Sequence, residues 1–185
     1  MNIRKTFGLA LTLMCALVMT SVFTACGGDD ATSGTPGGGD DNKPVAAVMD
    51  VTLTVGADMF KYLNLTVDYY DADGKVQSEL MTASKWTKMV QAKLPATLGV
   101  RLKCSLKDGV DPASIDLFST QHGITYGFYS IDASGKHSGV VTNASSGGAS
   151  IYGSQIPEWL QKDAGNLIKI LYAYDTNGNP TKISW

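Results

Sequence analysis

His122, His137, Cys104 and three Asp-Gly segments are the residues of this chain whose types could do chemistry. The histidines would suit a shared metal ion or an acid–base pair, and the cysteine a nucleophile. The segments Asp71-Ala72-Asp73-Gly74, Asp132-Ala133-Ser134-Gly135 and Asp175-Thr176-Asn177-Gly178 would suit calcium. Spacing argues against each use. An EF-type loop needs glycine at its sixth position and a bidentate Glu at its twelfth, and glycine here stands fourth in every segment. All three segments join runs of strand-like alternation, where Asp and Gly serve turn geometry. A hairpin closed at 132–135 sets His137 opposite Ser130, with His122 eight residues further along. At about 3.3 Å per residue the two rings are then about 26 Å apart, too far to share a metal. Cys104 alternates in phase with Leu98, Val100, Leu102 and Leu106, so it reads as a buried thiol made inert by a raised pKa.

Nucleophile and phosphate motifs are missing: the sequence holds no G-x-S-x-G, H-E-x-x-H, C-x-x-C, P-loop or G-x-G-x-x-G. Only two glutamates, Glu79 and Glu158, lie beyond residue 44. These observations predict no enzyme and no cofactor. One charge asymmetry suggests binding. Between Glu79 and Asp108 stand Lys85, Lys88, Lys93, Arg101, Lys103 and Lys107, with no acid among them. With Trp86 in their midst they could grip an anionic glycan through charge and stacking. The candidate ligand-binding residues are Trp86, Lys88, Arg101 and Lys103, joined by the aromatic Tyr70 and Tyr129. The competing use of such lysines is to discourage edge-to-edge strand pairing.

The elements that must position these residues alternate with period two. Met49-Val51-Leu53-Val55 makes one apolar face and Leu63-Leu65-Val67-Tyr69 the next. A four-residue turn at 71–74 would set Leu65 opposite Leu80 and Tyr69 opposite Val76 on the apolar side. Further strands are expected at 86–90, 97–107, 115–119, 123–131, 136–142, 167–174 and 181–185, with a break at Leu94-Pro95. Residues 139–153, rich in Gly, Ser and Ala, read as a long loop. One short helix is expected near 155–164, with Ser154 as its cap, Pro157 in its first turn and Gly165 beyond its end. The fold class is therefore all-β: an antiparallel two-sheet sandwich, immunoglobulin-like or transthyretin-like.

The N-terminus addresses compartment. Arg4 and Lys5 precede 19 apolar-type residues from Phe7 to Ala25, which run into Cys26 and then Gly27-Gly28-Asp29-Asp30. A positive flank, an apolar run and a small-residue approach make a secretory signal. Phe23-Thr24-Ala25-Cys26 resembles the lipobox of bacterial lipoproteins, with Phe23 in place of the usual Leu. The resemblance implies cleavage before Cys26 and lipidation of that residue. Glycine after the cysteine implies the outer membrane, and the acidic pair beyond it is similar to the export tags of Bacteroidetes surface lipoproteins.

Three parts follow: a signal at 1–25, a lipidated cysteine with a tether at 26–44, and a folded domain at 45–185. The segment 27–44 holds six glycines, four aspartates and no large apolar residue. It is expected to be a disordered spacer with a reach of roughly 25 Å. The domain carries 12 Lys/Arg against 13 Asp/Glu, which does not suit a nucleic-acid partner. With Cys15 and Cys26 removed or lipidated, Cys104 has no disulfide partner. The expected function is a non-catalytic binding module held to the membrane by lipid, at the cell surface or the periplasmic face. Its partner is a glycan or, alternatively, another envelope protein taken up by sheet-edge pairing.

Overall fold

A computed structural model describes residues 42–185. The signal, the lipobox with Cys26 and the tether up to residue 41 lie outside the described residues. Among those described, no helix is long and apolar enough to cross a membrane.

The first strand, β1 (Pro44–Val55), buries Ala47, Met49, Val51, Leu53 and Val55 on one side. A short helix, α1 (Ala57–Tyr62), leads into β2 (Leu63–Tyr70), β3 (Val76–Leu80), β4 (Lys85–Lys93) and β5 (Ala96–Leu106). Then come β6 (Leu117–Ser119), β7 (His122–Asp132), β8 (His137–Gly147) and β9 (Ser150–Tyr152). Helix α2 (Ile156–Lys162) precedes β10 (Lys169–Tyr174) and β11 (Pro180–Lys182). Sheet one has the order β4-β1-β7-β8 and sheet two the order β11-β10-β5-β2-β3, while β6 and β9 pair separately. Every pairing is antiparallel. The molecule is an all-β sandwich, as the alternation predicts. Its first two strands lie in different sheets, whereas strands A and B of the immunoglobulin arrangement are neighbours.

One core joins the two sheets. Met49, Leu53, Leu65, Leu98, Leu102 and Phe128 are each at most 1 % exposed. The Phe128 ring lies 5.1 Å from that of Tyr172 and 5.5 Å from that of Tyr126. Helix α2 closes one end through buried Ile156 and Trp159, the latter 5.7 Å from Phe118.

Three details differ from the sequence expectation. The turns after β2 and β7 take five residues, as the turn after β10 does, and not four, so pairing slips by one: Tyr70 faces Val76, Thr66 faces Leu80, and His137 faces Ile131. Val76 and Leu80 consequently point outward, 47 % and 59 % exposed. The cause is the aspartate. Asp71 accepts from the N–H groups of Asp73 and Lys75, Asp132 from those of Ser134 and Lys136, and Asp175 from those of Asn177 and Asn179. Each aspartate's own N–H donates to the carbonyl four residues on, and glycine fills the left-handed position at φ 74°, 84° and 78°. These carboxylates complete turns, as the turn reading has it.

Second, Ser154 does not cap α2. The N-cap is Gln155, the last residue of a 3-10 turn at Gly153–Gln155, and its side-chain oxygen accepts from the Tyr152 N–H; Gly165 lies inside another 3-10 turn. Third, residues 139–147 are no loop. β8 runs on to Gly147, paired with β7 as far as His122. Ladder hydrogen bonds to a well-buried neighbour outweigh the low strand propensity of Gly, Ser and Asn.

Candidate functional site

The basic band does not form one surface. Trp86 lies on the inward phase of β4 opposite Leu53, 9 % exposed, and its Nε1–H donates to Glu79 at 2.9 Å. Lys88, on the same phase, donates to Glu79 at 2.6 Å and lies over the Tyr69 ring. The Tyr69 hydroxyl donates to the same carboxylate at 2.7 Å. The Lys88 ammonium first, and then the Tyr69 hydroxyl, pull the Glu79 carboxyl down to about 2.

Arg101 and Lys103 belong to a different cluster, on the outer face of sheet two. They reach Asp68 at 2.9 and 3.0 Å, and Ser78 donates to it at 2.6 Å. Asp68 is 1 % exposed. Burial by itself would raise its carboxyl, and these donors reverse the direction. Tyr70 is packed 5.2 Å from the Trp185 ring, which also covers the Arg101 guanidinium. Lys107 donates to the carbonyls of Phe60 and Lys61 at the end of α1.

Tyr129 stands alone, on the outer face of sheet one, stacked on His137 at 4.2 Å. His122 pairs with Gly147 at the far end of β7, so the histidines do not meet. Cys104 is half-buried, and burial pushes its thiol up to about 12.

What the fold does assemble is an outer face and a free edge on sheet one. Across the face, Thr87, Thr52, Thr125 and Ala144 stand in one row from β4 to β8, and Met89, Asp50, Gly127 and Thr142 in the next. Two shallow grooves of 420 and 300 Å³ share Thr52, Thr125 and Ala144 in their linings. Small side chains leave the face flat, and Tyr129 leans over the space beside Gly127.

β8 ends the sheet. It is paired on one side only, and its burial pattern is exposed at all positions except Gly139 and Val141. Gly139, at φ 54°, and Val140 together stand opposite Tyr129 in a bulge, after which Val141 to Gly147 run in register. β8 carries no lysine, acid or proline. The other three edges of sheets one and two are guarded. β11 has three residues and begins at Pro180; β3 has five, with Glu79 turned inward. β4 carries Lys85, Lys88 and Lys93. Short strands, proline and inward charges are the devices that block edge pairing. The Glu79–Lys88 bond spans those two edges and closes that side of the sandwich.

Sequence reasoning missed this edge because it took 143–147 for loop. The legible signal was the continuation of β7 back to His122, which leaves eleven residues in need of a partner. Comparison of the chain with models of protein families, with curated proteins and with solved structures finds no match.

Proposed function

We propose that this protein is a non-catalytic interaction module, tethered to the bacterial outer membrane through lipid on Cys26, that takes its partner by strand addition at β8. The observation that carries the reading is the contrast between β8 and the three guarded edges. Added strands gain affinity from main-chain hydrogen bonds, and flanking side chains supply selectivity. Asp68 and Glu79 support a non-catalytic role: Asp68 is tied up within sheet two by Arg101 and Lys103, Glu79 bridges β3 to β4 through Lys88, and neither lines the 660 Å³ groove beside Tyr70 and Tyr174.

A photo-crosslinking residue in place of Thr142 in living cells tests this, with Thr87 on the lysine-guarded side as control. Products at position 142 and none at 87 are expected. Equal products at both positions, or none at either, would overturn the reading.

Glycan binding keeps one observation in its favour. The Tyr129–His137 stack lies beside a face lined by Thr52, Thr125, Thr142 and Asp50, a hydroxyl-rich floor with an aromatic rim. A glycan array with the wild-type chain and Tyr129→Ala tests it. Binding retained by the variant, or a blank array, removes this reading.

A further inference from the structure

We propose that the strand added at β8 is β8 of a second copy, in an isologous dimer with Asn143 on the two-fold axis; this rests on the edge-pairing reading above. Two antiparallel strands in a continuous sheet are related by a two-fold axis normal to it, so residues that face each other must share a side. Their sequence numbers therefore sum to an even value.

The register of that dimer places Asn143, the single carboxamide of β8, on the axis. It sets Val140 against Ser146 and Thr142 against Ala144 on the outer face, and Val141 against Ser145 on the inner face. Each larger side chain meets a smaller one. Asn143 meets itself, and a carboxamide carries both donors and an acceptor, so two of them can satisfy each other. No formal charge lies between Ser138 and Gly147, so the pairing brings no like charges together, as it would at β4 with its three lysines. The product is an eight-stranded sheet in which both free β8 edges are consumed. Its outer faces, with their threonine rows, run on across the axis.

The alternative occupant, an extended segment of a different protein, is separated from this one by mass. The experiment uses the full chain carrying Cys15→Ala and Cys26→Ala. Sedimentation equilibrium at ~10–100 µM is expected to give twice the chain mass. Val140→Lys with Ala144→Lys places four lysines around the axis and is expected to give the monomer mass with unchanged far-UV circular dichroism. Both positions lie on the exposed face, so the variant is expected to fold.

Asn143→Cys tests the register. Opposed residues in an antiparallel pair have Cα atoms about 4.5–5.5 Å apart, within disulfide range. Mild oxidation is expected to link it into a covalent dimer, whereas Thr142→Cys, two residues out of step with its own copy, is expected to form no disulfide. A wild-type chain that is monomeric at the highest concentration, or a dimer that survives the double lysine variant, overturns the proposal. If the wild type is monomeric and Thr142 still crosslinks to a protein of different mass in cells, self-pairing fails and edge pairing stands.

Discussion

At the residue scale the molecule spends its charges on itself. Glu79 accepts three hydrogen bonds, from Lys88, Tyr69 and Trp86, and its carboxyl falls to about 2 with Lys88 as the first cause. A carboxylate whose folded pKa lies below its unfolded value of about 4.3 stabilises the fold above that value. The contribution fades as pH drops through the folded pKa. Wild type is therefore expected to melt above Glu79→Gln at pH 6–7, and the gap to narrow between about pH 4.5 and 2. Thermal unfolding followed by circular dichroism at pH 7, 4, 3 and 2 checks this, and a gap that does not change with pH would contradict it.

Asp68 differs because it is buried. Removing its charge leaves Arg101 and Lys103 without their partner, although both reach solvent, at 37 % and 51 % side-chain exposure. Asp68→Asn is expected to cost about 2 kcal/mol in urea unfolding, below the 3–5 kcal/mol of a fully buried pair. Lys103→Ala, the more exposed partner, is expected to cost under about 1 kcal/mol. Equal costs would mean that Asp68 acts through packing and not through charge.

Three hairpins use one turn at the element scale, and that repetition allows a controlled comparison. Gly74, Gly135 and Gly178 hold the same left-handed backbone. A Cβ at Gly74 or Gly135 would meet nothing within 4 Å, whereas at Gly178 it would meet Ser130 Oγ at 2.6 Å and Pro44 at 2.7 Å. Alanine at the first two is expected to cost about 1–2 kcal/mol for backbone conformation alone. At Gly178 the cost is expected to be larger, because the β10–β11 turn lies against the end of β7. Denaturant midpoints of the three single variants check that order.

The same turns explain how much of the fold was legible. Alternation within a strand is local, so β1, β2 and β5 and their inward residues could be read directly. Register depends on whether the fifth residue belongs to the turn, and that is set by aspartate bonds to backbone N–H groups that periodicity does not record. The Asp68–Arg101–Lys103 cluster joins positions 33 or more residues apart through pairing of β2 with β5. No motif spacing carries that juxtaposition. Trp86 was legible as inward by its phase with Val90, and reading it by composition placed it with the lysines instead.

Across the whole molecule both sheets share one apolar cluster, from Met49 and Leu53 in β1 to Leu98 and Leu102 in β5 and Phe128 in β7. Neither sheet has a second core to retain it when the other departs, so unfolding is expected to be a single cooperative step. Cys104 reports on that step from inside sheet two. Its thiol, pushed up to about 12 by burial, is about one part in ten thousand thiolate at pH 8, against about a quarter for an unfolded cysteine. Alkylation in the native state is therefore expected to be about a thousandfold slower than in the unfolded chain. In a Cys15→Ala, Cys26→Ala background, the labelling midpoint in urea is expected to coincide with those of circular dichroism and tryptophan fluorescence. The tryptophans sample separate regions: Trp86 at the guarded side, Trp159 in α2, and Trp185 over Tyr70 on the outer face. Labelling that rises at lower urea than the optical transitions would show sheet two opening ahead of sheet one. The shared core would then be two cores, and a strand added at β8 would stabilise only half the molecule. Coincident midpoints make the sandwich one unit; the pairing proposed at β8 would then stabilise all of it, and the labelling midpoint is expected to move to higher urea as protein concentration rises.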